Sequence, residues 1–240
     1  MNSSGRGNEY NGYQQRDVAV SNASFMSKVY FWMMIGLALS GVVAYMVAGS
    51  QQAITYIVSN KVIWFGLILA QFGAVIGLSM FIDRMNVALT TMIYLGYAIL
   101  SGLTFSVIFL MFTAASISQA FFITSFSFVG LSAFGYITKR DLGPVGSFCM
   151  TGLFGVIGLM LLGLIFPSIM TNAVEMTINV CGIIIFSGLT AYDTQKIKSY
   201  NISAVSSSIA KKQAIRGALV LYLDFINLFL SILRLTGDRR

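Results

Sequence analysis

Histidine is absent from this chain of 240 residues, and charged side chains make up only 10% of it. The chain therefore lacks the commonest metal ligand and the one side chain that ordinarily titrates near neutral pH. Any response to protons must come from carboxyl groups in unusual surroundings. Proline occurs only as Pro144 and Pro167, and cysteine only as Cys149 and Cys181.

These scarcities exclude several classes of protein. Cys149 and Cys181 lie in apolar segments without CxxC spacing, so we interpret them as packing residues and predict no disulfide or zinc site. No phosphate-binding glycine loop and no Ser/His or Cys/His pair is present, which indicates that the protein is not an enzyme and needs no cofactor. Both prolines lie at the edges of apolar segments, and they give no sign of a discontinuous transporter helix.

What the chain has instead is hydrophobic side chains, which make up 57% of the residues. Several runs exceed the roughly 18 apolar residues that cross a bilayer, so we predict an all-α polytopic membrane protein in a lipid bilayer. The predicted spans are Val29–Ala48, Val62–Ile82, Val87–Phe112, Ser118–Ile137, Gly146–Phe166, Ala173–Tyr192 and Gln213–Leu235. Small residues around Ala114–Ser116 predict a tight hairpin between the third and fourth spans.

The chain is predicted to divide into a tail and a single membrane domain. Residues 1–24 are polar and rich in Asn, Ser, Gly and Gln, which is typical of a disordered tail. They lack the features of a cleaved signal peptide, so the first span is expected to act as an uncleaved insertion signal. The seven-helix membrane domain is expected to occupy residues 25–236.

Basic residues predict the orientation, because short cytoplasmic loops carry more Lys and Arg than external ones. With the N-terminus inside, eleven basic residues fall on the cytoplasmic side and four outside, which favours a cytoplasmic N-terminus and an external C-terminus. The net charge of +7 thus reflects topology, and we exclude nucleic acid as a partner. Arginines in the tail leave open a last segment that re-enters and returns to the cytoplasm.

Two aspartates, Asp193 and Asp224, lie in or next to the last two apolar stretches. A carboxylate in a membrane helix costs about 2.5–3.5 kcal/mol on insertion scales and usually faces a partner, a cavity or an ion path. We therefore predict that these two residues form an ion-binding and pH-sensing site, with calcium as the candidate metal ion.

Other polar side chains extend from these aspartates along one face of each helix. At 100° per residue, the sixth span aligns its polar residues with Asp193, and offsets of three and four do the same for Asp224 in the seventh. The predicted pore-lining residues are Glu175, Asn179, Thr190, Asn227 and Ser231. The spacing leaves the relative depth of the two aspartates open, although a sixth helix that continues to about Tyr200 would bring them level.

If the two carboxyl groups meet, both cannot remain ionised cheaply in a low dielectric, so the pair would share a proton. The shared proton would hold the last two helices together, and double ionisation would separate them or admit a cation. Calcium suits such oxygen ligands and would compete with protons. The alternative is structural: each aspartate could bond a backbone group or pair with Arg84, Lys196 or Arg216.

Three motifs of the chain are SGLTAYDTQKIK at 187–198, ALVLYLDFINLFLSILRL at 218–235 and, more weakly matched, LSGLTFS at 100–106. On these motifs the chain resembles the Bax inhibitor-1, or transmembrane Bax inhibitor motif, family over about residues 25 to 236. The resemblance implies a seven-helix bundle with the last helix central, a pH-sensitive calcium leak, protection from cell death and an aspartate pair at Asp193 and Asp224. It also implies a basic gating partner, for which Arg84 is the candidate. The short C-terminal tail and the plain N-terminus favour a bacterial inner-membrane member of this family.

Two other functions compete with ion transport. An intramembrane aspartyl protease would pair Tyr192-Asp193 with a second aspartate, but it would need Gly-x-Gly-Asp where this chain has Leu-Tyr-Leu-Asp at 221–224. A non-transporting regulator that binds a membrane protease or a cell-death factor is compatible with the sequence. Such a protein would move no ion.

Overall fold

The computed structural model describes the backbone of residues 4–200 and 206–240, and the side chains of residues 22–200 and 206–240. Nine α-helices and two short 3-10 helices make up the described chain. The helices are α1 Ser4–Ala48, α2 Gln51–Ser59, α3 Lys61–Phe81, α4 Val87–Phe105, α5 Ile108–Met111, α6 Ala114–Ile137, α7 Gly143–Ile165, α8 Asn172–Lys198 and α9 Ser207–Thr236. The 3-10 helices are Ile82–Arg84 and Pro167–Ile169.

Seven stretches of the described chain are long and apolar enough to cross a membrane, which confirms the prediction of an all-α polytopic protein. They are Asn22–Ala48, Lys61–Arg84, Val87–Met111, Ala114–Ile137, Gly143–Ile165, Asn172–Lys198 and Ser207–Thr236. An odd number of spans places the two ends of the chain on opposite faces of the bundle. We call these the N-terminal face and the C-terminal face.

Polar residues fix where the spans begin. The side chains of Asn60, Asn86, Thr113, Thr171 and Ser206 each accept a hydrogen bond from a backbone N–H in the first turn that follows. These first-turn N–H groups have no partner within the helix, and unpaired polar groups are costly in lipid. The caps therefore set the helix starts at the membrane edges.

The structure differs from the predicted elements in three places. The backbone is helical from Ser4, whereas residues 1–24 were predicted to be disordered; a helix that continues from an anchored span needs no new nucleation. Between the first two spans, α2 buries Ile54 and Ile57 where a loop was expected. The third span is interrupted by a turn at Ser106 and Val107, where the Ser106 hydroxyl bonds the Leu103 carbonyl oxygen.

The last helix is the core of the bundle, as the resemblance implied. In the most apolar stretch of α9, 61% of the residues are buried, against 11–33% in the other spans. It packs against α1, α3, α4, α6 and α8, whereas α7 lies outside and packs on α8. The helix is continuous from Ser207 to Thr236 and long enough to cross a membrane, which favours a spanning last segment over a re-entrant one.

Candidate functional site

The two predicted aspartates meet at the contact between α8 and α9. Asp224 lies in the middle of α9 with only 4% of its surface exposed, and Asp193 is half-buried near the end of α8. Their carboxyl groups are within hydrogen-bonding reach of each other. The helix α8 continues to Lys198, six residues past the predicted end of its span, and this extension brings Asp193 to the depth of Asp224.

Close helix contacts hold the pair in register. Gly182 on α8 faces Ser231 on α9, and a Cβ at this glycine would come 2.5 Å from the Ser231 Oγ. On the other side of α8, Gly135 of α6 lies against the backbone of Ala191, where a Cβ would clash with the carbonyl group. Glycine is therefore required where α6 supports the turn that carries Asp193.

The surroundings of the Asp224 carboxyl group limit how it can bond to Asp193. Its Oδ2 atom is fully buried, and no donor from the described residues reaches it. An ionised carboxylate only accepts hydrogen bonds, so two facing carboxyl groups can bond only if one of them is protonated.

Among the basic residues, Lys196 interacts electrostatically with Asp193 from one turn further along α8. The Nζ of Lys196 lies 5.4 Å from the centre of the Tyr192 ring. Arg84, the predicted gating partner, is exposed in the 3-10 helix after α3. Within the described residues, neither Asp193 nor Asp224 forms an ion pair with Arg84. The structure thus brings the aspartates together without bringing Arg84 to them.

A buried lysine near the N-terminal face of the bundle was not among the site residues predicted from the sequence. Lys212 of α9 is 8% exposed, and its Nζ donates to the carbonyl oxygens of Ile82, Asp83 and Met85 at 3.0, 3.3 and 3.1 Å. An ammonium group has three donors, and all three are used here at the end of α3. The sequence does carry a sign of this burial, because Lys212 falls on the same face of α9 as the buried residues Ile215 and Leu219.

The predicted pore-lining residues lie along the α8–α9 contact and at its outer end. Three hydroxyl and amide groups bond to carbonyl oxygens of their own helix: Thr190 to Phe186, Asn227 to Leu223 and Ser231 to Asn227. The remaining two, Glu175 and Asn179, line a cavity of about 350 Å³ near the C-terminal face. Polar side chains therefore extend from the aspartate pair to this cavity.

The chain end closes over this outer cavity. The Asp238 carbonyl oxygen accepts from the Thr113 N–H at 3.2 Å, and the Asp238 N–H donates to the Ser116 hydroxyl at 2.9 Å. The Arg240 N–H donates to the Met111 carbonyl oxygen at 3.0 Å. Arg239 lies 3.7 Å from Glu175, the one ion pair within the described residues. We call residues 237–240 the C-terminal strap.

The fold and the site together define a seven-helix membrane protein with two facing carboxyl groups, one on its central helix α9 and one on the neighbouring helix α8. The family described as "Inhibitor of apoptosis-promoting Bax1" matches residues 22–240, and the chain belongs to this Bax inhibitor-1 family. The resemblance drawn from the sequence is thereby confirmed.

Bacterial relatives match nearly the whole chain. The inner membrane protein YbhL of Escherichia coli is 42% identical over 219 residues, which cover 90% of this chain and 92% of the relative. An uncharacterized protein of Deinococcus radiodurans is 38% identical over 216 residues, 90% of this chain and 91% of its own. Another uncharacterized protein, from Borreliella burgdorferi, is 38% identical over 228 residues, which cover 95% of this chain and 97% of the relative. The chain is an integral protein of the bacterial inner membrane, as predicted.

Proposed function

We propose that this protein lets calcium leak, or exchanges cations for protons, across the inner membrane and that Asp193 and Asp224 form its proton-sensitive gate. The chain belongs to a family of membrane proteins with a transport or channel-like role. The observation that carries the proposal is the contact between the Asp224 carboxyl group on the central helix and the Asp193 carboxyl group on α8, with Asp224 buried without a donor from the described residues.

The gate operates through the shared proton. While the proton is present, the two carboxyl groups bond to each other and hold α8 against α9. When it is lost, the two negative charges repel each other; as a general scale, unit charges about 4 Å apart repel by about 4 kcal/mol at an effective dielectric constant of about 20. That repulsion is relieved if the helices separate or if a cation enters between them.

Calcium fits this site as a transported ion rather than as a resident one. Ca²⁺ takes about 6–8 oxygen ligands, and two carboxylates supply at most four. Within the described residues no group of three or more acidic, His or Cys side chains is arranged to hold a metal ion. A calcium ion at the pair would complete its shell with water and backbone carbonyl groups, and such weak binding favours a leak.

The proposed path continues from the pair along the polar side chains of the α8–α9 contact. Asn227 and Ser231 lie one and two turns beyond Asp224, and Asn179 and Glu175 lie at the outer cavity. Ions would pass between α8 and α9 to this cavity, whose outer side is covered by the C-terminal strap.

The test is calcium uptake into proteoliposomes between pH 5 and 8, with wild type compared with Asp193→Asn and Asp224→Asn. We expect a wild-type flux that rises as the pair loses its proton, and loss of that pH dependence in both variants. The control is Asp83→Asn, because Asp83 is an exposed aspartate at the N-terminal face of the bundle, outside the α8–α9 contact. A pH response that persists unchanged in Asp224→Asn contradicts the gate.

The same experiment separates the alternative functions. No flux above empty liposomes in any variant favours a non-transporting regulator that binds a membrane protease or a cell-death factor. Against an aspartyl protease stands the packing around Asp224, since Leu221 and Tyr222 are fully buried and leave a substrate backbone no approach. Binding of an aspartyl-protease transition-state analogue would revive that possibility.

A further inference from the structure

A lateral groove opens between α1 and α6. Both helices pack against α9, but they do not pack closely against each other. The space between them is a groove of about 740 Å³ whose walls are mostly apolar. Phe225 of α9, the residue after Asp224, forms part of its lining. The bilayer can therefore reach the central helix through this opening.

The groove has the length and polarity of a lipid chain. Its walls run from Ala23 to Leu37 on α1 and from Phe121 to Ile137 on α6. At 1.5 Å per residue these walls are about 21 and 24 Å long, more than half of a hydrocarbon core of about 30 Å. The hydroxyl groups of the lining gather towards the N-terminal face, and Ser125 alone lies further in. The lining residues at that polar end include Ser27, Tyr30, Ser132 and Tyr136.

One lysine contacts the polar end of the groove, and two more lie near that end along the chain. The Nζ of Lys198 donates to the Tyr136 carbonyl oxygen at 2.7 Å and lies 4.3 Å from the centre of the Tyr136 ring. Lys28 follows Ser27 directly, and Lys139 lies three residues beyond Tyr136, and both are exposed. Positive charge therefore sits where a lipid headgroup would be if its acyl chain lay in the groove.

We propose that this groove is a binding site for one anionic phospholipid. An acyl chain lies between α1 and α6 against Phe225, and the phosphate lies among Lys28, Lys139 and Lys198. The change from an apolar inner end to a hydroxyl-rich and then cationic outer end matches a phospholipid along its length. A helix from a second copy would need no cationic rim, and free phosphate would leave the apolar part empty.

The test is native mass spectrometry of the protein released from nanodiscs that contain equal amounts of phosphatidylglycerol and phosphatidylcholine. Wild type is expected to retain one phosphatidylglycerol in preference to phosphatidylcholine. Ala133→Trp fills the groove, because Ala133 is an exposed lining residue, and should abolish retention. Ala70→Trp, at an exposed position on α3 outside the groove, should retain lipid as wild type does.

Charge is tested separately with Lys28→Gln and Lys139→Gln. A lysine near an anionic headgroup is worth about 1 kcal/mol, so each change should lower the preference for phosphatidylglycerol about fivefold. Equal retention of both lipids by wild type would overturn the anionic preference. Retention by Ala133→Trp equal to that of Ala70→Trp would overturn the site. A dimer in place of bound lipid would assign the groove to a second copy of the chain.

Discussion

The Nζ of Lys212 on the central helix lies 3.0 Å from the carbonyl oxygen of Ile82 at the end of α3. The same ammonium group also donates to the carbonyl oxygens of Asp83 and Met85, so it caps the 3-10 turn that follows α3, where carbonyl groups run short of donors. A positive charge at a helix C-terminus also interacts favourably with the helix dipole. The N-terminal half of α9 is thereby tied to the turn between α3 and α4.

The change Lys212→Met should destabilise the protein. It removes the Lys212 donor from the carbonyl groups of Ile82, Asp83 and Met85, of which Ile82 keeps a bond from the Met85 N–H. Each group left unsatisfied costs about 1–3 kcal/mol, partly relieved by water at the membrane edge. We expect the midpoint of thermal unfolding in detergent to fall by several degrees. Lys211→Met is the matched control, because Lys211 is exposed, and its midpoint should stay within about a degree of wild type. Equal midpoints for the two variants would contradict a structural role for the Lys212 ammonium group.

The change Gly135→Ala should separate α6 from α8. The added Cβ would meet the backbone of Ala191, which cannot rotate away as a side chain can. Overpacking of this kind costs about 1–3 kcal/mol and would displace the turn that carries Asp193. The control is Gly130→Ala on the same helix, where no atom lies within 4 Å of the added Cβ. A thermal midpoint for Gly135→Ala that matches Gly130→Ala would show that the helices adjust freely.

Much of the fold follows from the sequence because lipid leaves a chain few choices. Long apolar runs between capping residues must be helices, and the seven spans were found within a few residues at most ends. The interfacial helix α2 was missed, since nine residues of mixed polarity give no membrane signal. The turn at Ser106 was missed because nothing in its local composition departs from that of a continuous span.

The site was predictable in part for a similar physical reason. A carboxylate in a membrane helix is conspicuous, so Asp193 and Asp224 could be selected from the sequence. Lys212 could not be distinguished from the lysines that determine the membrane orientation, because its partners are backbone carbonyl groups 127 to 130 residues away in the sequence. The strap was missed because its bonds are also made to backbone groups, with Ser116 as the exception.

The C-terminal strap should control access to the outer cavity. Deletion of residues 237–240 removes the backbone bonds to Met111 and Thr113 and the ion pair of Arg239 with Glu175. In a background without Cys149 and Cys181, an Asn179→Cys side chain should then react faster with a membrane-impermeant thiol reagent. Arg239→Ala alone should change the rate little, since an exposed ion pair contributes about 0–1 kcal/mol. An unchanged rate in the deletion variant would mean that the strap does not cover the cavity.

The orientation of the bundle should follow its basic residues, with the N-terminal face in the cytoplasm. Lys139, Arg140, Lys196, Lys198, Lys211 and Lys212 all lie towards that face. A fusion of alkaline phosphatase after Arg240 should therefore be active, whereas a fluorescent-protein fusion at the same point should be dark. Fusions after Arg140 should give the opposite pair of signals. Matching signals at Arg140 and Arg240 would contradict the odd number of spans.

The proposed proton between Asp193 and Asp224 predicts how stability depends on pH. In that proposal the two carboxyl groups, which face each other in the folded protein, bond through a proton that the same residues, once separated in water, release at ordinary pH. Because the folded state then binds more protons than the unfolded state, stability falls as pH rises. The thermal midpoint of wild type should therefore decline between pH 5 and 9. Asp224→Asn should have a flatter profile, since an amide can donate to the Asp193 carboxylate without a titrating proton. Asp83→Asn should follow wild type, and parallel profiles for all three proteins would mean that the pair does not hold a proton.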